Sequence, residues 1–504
     1  MLAHVTTAAL RGVDALPVRV EVSLTPGLPA FAVVGLPQSE VREGRERVVA
    51  ALRHLGVALP PRRITVNLSP ADVRKEGSGF DLPLAAVLLV AAGAVSAEQV
   101  RGWAFVGEIG LDGGIRSARG VLSRVLALRS DGVEGVVVPP QNHREAAAVG
   151  GVRVETAPSI SALVESLRTD CWCAVPDGSS QRRDTHPDLA DVRGQSLARR
   201  GLEIAAAGGH NLLMVGPPGC GKTLLARRMP GLLPPLSEAR ALEVTRVHSV
   251  AGLLPEGSGL VRTPPFRAPH HGVSQAGLVG GGRPIRPGEF SLAHRGVLFL
   301  DELPEFRRDA LEALRQPMEE GTIRLTRAHG TFRLPARPLV VAAMNPCPCG
   351  RFGEGGEPCT CTPDRITRYR SRVSGPLIDR FDLQVLVRAV PLSALAGPAG
   401  ETTSEVRERV LTARDAQRTR LRDESVETNA EMGITTLRRH VHVESDAAGL
   451  IQRAHDRLGF SARGYHRILR VARTIADLAG EEGVRPEHAA EALQFRELDR
   501  PVSG

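Results

Sequence analysis

An α/β fold of several domains is predicted by three observations. Leu212 to Thr223, LLMVGPPGCGKT, carries an apolar strand into a glycine-rich loop and the start of a helix. Val297 to Glu302, VLFLDE, is a short apolar strand ending in two acids. The flanking chain alternates strand and helix periodicities before turning wholly helical near residue 400. A length of 504 residues exceeds what one hydrophobic core organises and predicts two to four domains.

The central stretch carries the chemistry. Gly216, Pro217, Pro218, Gly219, Cys220, Gly221, Lys222 and Thr223 fit G-x-x-x-x-G-K-[ST], whose backbone N–H groups cradle phosphates at a helix N-terminus. The cofactors expected are ATP and Mg²⁺. Lys222 neutralises the β/γ oxygens, Thr223 and Asp301 hold the magnesium, and Glu302 is the base for hydrolytic water. The chain has 62 arginines and only two lysines, Lys75 and Lys222, so a strong bias toward Arg is overridden at position 222. A compact ammonium fits there and a guanidinium fork does not.

No charged and apolar signal segment opens the chain, and its longest nearly apolar run, Leu82 to Val95, is too short to span a bilayer. A cytoplasmic protein with no membrane partner is expected. Seven cysteines are too few for a disulfide scaffold of this length and point to thiols or metal. The net charge of +8 is unevenly placed: residues 171–400 carry 29 basic against 21 acidic side chains, while the segments before and after are nearly balanced. That excess suits a polyanion, and equally a solvated arginine-rich surface.

Residues 1–168 form the first unit. Val18, Val20, Val22 and Leu24 alternate as a strand, Ala30 to Val34 supplies a second, Val41 to Leu55 has helical spacing up to Gly56, and Ile64, Val66 and Leu68 alternate again. Asp112-Gly113 marks a hairpin. Lys75 to Ala86, KEGSGFDLPLAA, and Gly107 to Arg116, GEIGLDGGIR, resemble the proteolytic domain of Lon-type proteases, which implies the same α/β fold (ribosomal S5 domain 2-like). That family pairs Ser with Lys, yet Arg119 to Arg124, RGVLSR, contains no lysine, and Lys75 lies in the wrong segment to serve Ser78. A docking or assembly role is expected instead. Residues 169–187, with an isolated Cys171/Cys173 pair, read as a linker that lets the first unit move.

Residues 188–395 form the motor. Asp188 to Thr223 resembles the entry to AAA+ ATPases of the magnesium-chelatase group. Phe266 to Gly282, FRAPHHGVSQAGLVGGG, and Pro287 to Leu303, PGEFSLAHRGVLFLDEL, resemble the YifB/ComM subfamily. Lys222 and Asp301 stand 79 residues apart, more than one crossover requires. An insertion with Arg262, Arg267, His270, His271, Arg283 and Arg286 occupies the gap, as a mobile basic loop facing a polymer would. The resemblance places it near the pore of a ring. A hairpin bearing Arg324 follows, with Ala328-His329-Gly330 as its turn. The strand from Leu339 delivers Asn345, which matches the family's sensor 1. Cys347, Cys349, Cys359 and Cys361 are compatible with Zn²⁺ or with four reduced thiols. Ser374 to Asp382, SGPLIDRFD, matches the arginine-finger segment at Arg380, where a local salt bridge is the rival reading.

Residues 396–504 are helical, with apolar stripes at Val406/Val410, at Leu450 to Leu458 and at Ile468 to Ala476. The resemblance implies a helical lid in which Arg463 is sensor 2, with Arg467 one turn on as its competitor. It also implies a homo-oligomeric, hexameric ring working on single-stranded or branched DNA in branch migration, with Glu302, Asn345, Arg380 and Arg463 as the catalytic set. A chelatase-type motor subunit with partner subunits is the alternative, and a protein remodeller or degenerate Lon-like protease is another.

Overall fold

The computed structural model describes residues 2–174, 186–327, 330–353, 358–391, 393 and 397–496. Residues 175–185 of the expected linker, the Ala328-His329 turn and the last residues of the helical region, 497–504, lie outside the described residues.

The first unit is a seven-stranded mixed sheet ordered Ala30–Val34, Arg63–Ser69, Asp14–Thr25, Leu2–Arg11, Trp103–Phe105, Gly135–Val138, Arg153–Thr156. The alternation of Val18, Val20 and Val22 puts all three in the core. The strand Leu2–Arg11 is weakly patterned in sequence and is held by antiparallel pairing with Asp14–Thr25 along its whole length. The expected hairpin joins Glu108–Ile109 to Ile115–Arg116. Helix Asp81–Ala91 is apolar almost all round, and all eleven residues are buried, as such a helix requires. The start of the expected linker does not leave this unit, because Trp172 stacks on Trp103 at a centroid distance of 4.7 Å.

The motor sheet has five parallel strands in the order Phe266–Arg267, Val297–Leu300, Leu339–Met344, Leu212–Val215, Leu383–Leu386. Both faces are covered, which explains the continuous apolar runs in the sequence. Leu212, Met214, Phe299, Val341 and Val385 face a core shared with helix Ser196–Gly208 and the C-terminal helices. Leu213, Val215, Leu298, Leu300 and Val340 face a second core that includes Ile323 and Leu334 of the arginine hairpin. Helices Thr403–Arg420, Ser445–Leu458 and Ala462–Ala479 match the three apolar stripes. Ile434–His440 and Pro486–Gln494 complete the helical region.

Two expectations are corrected. The insertion is not one basic loop: it contains helix Glu238–Ala251 and the edge strand Phe266–Arg267, and Arg267 is paired with Glu289 at 2.6 Å. A long connection containing periodic apolar residues folds where it can bury them. The first unit does not hang from a tether either, because it is seated on that helix. Val13 enters the second motor core, Glu145 accepts from Ser249 at 2.6 Å, the Gly120 N–H donates to the Ser249 carbonyl at 3.1 Å, and Asp14 pairs with Arg246.

Candidate nucleotide site and its neighbouring thiol cluster

Because the strands are parallel, everything that follows their C-terminal ends gathers on one edge of the sheet. The loop Gly216–Gly221 leaves Val215, Asp301 and Glu302 follow Leu300, and Asn345 follows Met344. Glycine is required at the loop's root, where a Cβ on Gly216 would stand 2.0 Å from the Val387 carbonyl oxygen. Gly219 and Gly221 adopt left-handed backbone, with φ of 77° and 94°.

The Lys222 side chain is buried, and its ammonium donates to the carbonyls of Gly216 and Pro217, both at 2.8 Å, and to Asn345 Oδ1 at 3.2 Å. Cys220 Sγ lies 3.7 Å away. Thr223 Oγ1 donates to Asp301 Oδ2 at 2.6 Å, so the hydroxyl and the carboxylate suited to magnesium are already in contact. The donor set fits a nucleotide phosphate chain with its cation: a glycine-rich loop of backbone amides, one ammonium, and a hydroxyl beside a carboxylate. Glu302 sits at φ 53°, a strained conformation for a residue with a side chain. Its carboxylate meets His271 Nδ1 at 3.3 Å, and His270 stacks on His271 at 4.0 Å. Sequence reading placed His271 only among the basic residues of the insertion. Its contact with Glu302 joins positions 31 apart and has no local signature.

Arg380 and Arg463 are elsewhere. Arg380 precedes the strand Leu383–Leu386, and its carbonyl accepts from Asn211 Nδ2, so it lies at the N-terminal ends of the strands. A four-residue strand spans about 13 Å, which separates this edge from the P-loop of the same chain. The Arg380 guanidinium donates to the Arg315 and Pro376 carbonyls and to Glu319 at 2.6 Å. Its salt bridge is therefore to Glu319 and not to the adjacent Asp379 or Asp382. Arg463 reaches the same Glu319 at 3.7 Å and is largely exposed, whereas Arg467 is drawn inward to Asp382 at 3.4 Å. Asp382 is held below the usual carboxylate range by His210, Arg467 and Arg470 even though burial opposes ionisation most strongly.

The four cysteines meet next to the nucleotide loop. Cys347 is fully buried two residues past Asn345, and all four Sγ atoms lie within 4.8 Å of one another. The Cys347–Cys349, Cys347–Cys359 and Cys349–Cys359 separations are 3.4, 3.7 and 3.5 Å. These exceed a disulfide bond of about 2.05 Å and approach the edge of about 3.8 Å that four thiolates around zinc define. The Arg351 and Thr360 backbone amides pull the Cys349 thiol down to about 5, whereas desolvation and the neighbouring sulfurs push the Cys359 thiol up to about 12, so the four sulfurs share their ionisation. Gly350, at φ 80°, closes against the nucleotide loop, where a Cβ would stand 2.4 Å from Pro218 Cδ.

No helix among the described residues is long and apolar enough to cross a membrane. Residues 188–395 match the family described as magnesium chelatase, subunit ChlI; residues 20–142 match subunit ChlI of Mg-chelatase; and residues 400–496 match the ChlI C-terminal family. Competence protein ComM of Haemophilus influenzae is 42% identical over 508 residues, covering 99% of this chain and 98% of that one. The uncharacterized protein YifB of Escherichia coli is 41% identical over 502 residues, with the same coverage. Maternal DNA replication licensing factor mcm6 of Xenopus tropicalis is 26% identical over 229 residues, 43% of this chain and 26% of that protein. With a relative this similar along its whole length, and with a nucleotide loop, acidic pair and polar strand end brought to one sheet edge, the chain belongs to the YifB/ComM subfamily of magnesium-chelatase-like AAA+ proteins.

Proposed function

We propose that this protein is an ATP-hydrolysing motor that assembles into a ring, hexameric by family resemblance, and moves along DNA, with branch migration as its task. One observation carries the assembly: the site is divided between the two edges of the sheet. Lys222, Thr223, Asp301, Glu302 and Asn345 occupy one edge, and Arg380 and Arg463 converge on Glu319 at the other. In a ring, the arginine edge of one copy meets the nucleotide edge of the next. Arg380, released from Glu319, then stabilises charge on a neighbour's phosphates. Bound ATP with Mg²⁺ supplies the reactive phosphoryl group. Lys222 holds its charge, Thr223 and Asp301 position the cation, Glu302 takes the proton from attacking water, and Asn345 orients that water. His271 occupies Glu302 until the base is needed.

The hairpin Thr322–Arg327 and Gly330–Pro335 supports a polyanionic substrate. Ile323 and Leu334 pack inward while Arg324 and Arg333, directly opposed across the strands, both face outward. Like charges opposed in this way destabilise a hairpin, although Glu320, 3.6 Å from Arg324 Nε, offsets part of that cost. A phosphate backbone lying across them reverses that cost without reading sequence. The names of two relatives, a competence protein and a replication factor, point the same way. The family descriptions favour a second reading, a chelatase-type motor subunit that needs partner subunits. A protease is disfavoured, since Lys75 is buried and donates to the Pro70 carbonyl.

The nucleotide assignment is tested by two variants. Lys222→Ala should abolish ATP binding, and Glu302→Gln should keep it while lowering turnover about 10²–10⁴-fold. Wild-type ATP affinity in Lys222→Ala would reject the site.

Arg380→Ala should lower hydrolysis and spare binding, and mixing it with Glu302→Gln chains should restore activity, because finger and base then come from different copies. Mixtures no more active than either variant alone would assign Arg380 to its own chain.

The thiol cluster should hold about one zinc per chain, measured by elemental analysis of protein purified without added metal. A zero would leave four reduced thiols as the answer.

ATP hydrolysis should rise with DNA, most with a branched junction, and binding should weaken steeply with salt. Replacing Arg324 and Arg333 by Ala should reduce the salt dependence by up to about two phosphate contacts and leave ATP affinity unchanged. A rate indifferent to single-stranded, duplex and branched DNA at low salt would move the assignment to the chelatase-type motor.

A further inference from the structure

Between the first unit and the motor lies a cavity of about 1060 Å³ that no step of the proposed cycle uses. Its innermost group is Arg124. Among the described residues two arginines are only 1% exposed, Arg124 and Arg473, and they differ in one respect. Arg473 is matched by Asp477 at 2.8 Å, whereas Arg124 has no carboxylate within ion-pair distance among the described residues. Arg124 donates to the Ala8 carbonyl and lies over the Phe80 ring at 5.4 Å, and its Nε has no acceptor. Three nearby acids are already engaged, while Glu76 beside the turn also lines the cavity and has the pKa of its carboxyl raised by burial and by Glu40. Asp81 accepts from Arg47 at 2.9 Å, Glu145 from Asn142 at 2.5 Å and Ser249 at 2.6 Å, and Glu40 from the Gly77 N–H at 2.6 Å. A buried guanidinium stays charged near neutral pH, and leaving it without a counter-ion is costly.

The guanidinium lies against the turn Gly77-Ser78-Gly79. A Cβ on Gly79 would stand 3.1 Å from Arg124 Cζ, and one on Gly77, at φ 89°, 3.8 Å from Nη2. This turn opens the 3₁₀ stretch Ser78–Phe80 that runs into helix Asp81–Ala91. The first amides of such a stretch have no acceptor inside it. Among the described residues the Ser78 and Gly79 N–H groups have none elsewhere. Ser78, Gly79 and Arg124 all line the cavity. The two protease-like segments thus meet here with no nucleophile and base between them, since Lys75 is turned to Pro70 and does not line the cavity. What they bring together at the turn is a cation and two amides, with the Glu40 and Glu76 carboxyls also on the cavity lining. A tetrahedral phosphate, with three oxygens to share among them, uses this set more fully than a planar carboxylate does. The cavity is also larger than a bare anion and within the range of small-molecule sites.

We propose that this cavity binds the phosphate group of a small phosphorylated molecule, held by the Arg124 guanidinium and the Ser78 and Gly79 amides, with the motor helix Glu238–Ala251 forming part of the opposite wall. None of these residues belongs to the nucleotide site, so the proposal stands or falls apart from the motor reading.

The test is calorimetric titration of the full-length protein carrying Lys222→Ala, which silences the nucleotide loop, with inorganic phosphate, pyrophosphate and succinate. The phosphate probes should saturate one site per chain, and succinate should bind at least tenfold more weakly. Arg124→Met and Gly79→Ala should each weaken phosphate at least tenfold, and Arg124→Lys should retain part of the affinity. Should Arg124→Met fail to fold, judged by thermal melting, Gly79→Ala decides, since it adds one methyl and keeps every charge. Absence of saturable phosphate binding, affinity unchanged in Gly79→Ala, or a preference for succinate would overturn the proposal.

Discussion

A buried ammonium is the constraint on which the motor depends. Lys222 is largely withdrawn from bulk water, so its charge must be met by oxygens, and three are supplied: the Gly216 and Pro217 carbonyls and Asn345 Oδ1. Meeting that demand fixes the loop to the end of its own strand and to the end of the neighbouring one. The Thr223–Asp301 hydrogen bond then ties in a third strand end. In the proposed cycle nucleotide phosphate oxygens would take over from the carbonyls, with the same side chains serving both arrangements.

The surroundings of this edge explain how it can respond to what lies outside it. Asn345 is two residues from Cys347, and Gly350 of the thiol loop is seated on Pro218, so any metal held by the cysteines also braces the nucleotide loop. On the other side His271 connects the insertion to Glu302. The insertion's helix Glu238–Ala251 is in turn the seat of the first unit, through Ser249 and Arg246. The same insertion therefore touches the first unit through its helix and Glu302 through His271.

The opposite edge follows a different rule. Arg380 and Arg463 share Glu319, and Arg467 shares Asp382 with His210. Three arginines crowded at one rim are held by acids of the same chain, in a place where a second chain's phosphates would be a stronger partner.

By itself the sequence determined the elements with strong local periodicity or fixed motifs: the P-loop, the strand before Asp301, the hairpin at Asp112-Gly113 and the three long C-terminal helices. Each is set by neighbours within a few residues, through strand alternation, helical spacing or the φ that glycine permits. The cysteine tetrad was legible as a set, because its members lie within one loop. Tertiary structure alone decided what depends on residues distant in sequence. The first strand, Leu2–Arg11, is held by pairing more than by pattern. The seating of the first unit through Val13, the meeting of His271 with Glu302, the placing of Arg380 away from its own P-loop and the isolation of Arg124 beside Gly79 all have the same cause. Contacts between side chains brought together by sheet order and domain docking leave no local periodicity in the chain, since burial and charge compensation are settled only when the partner surfaces meet.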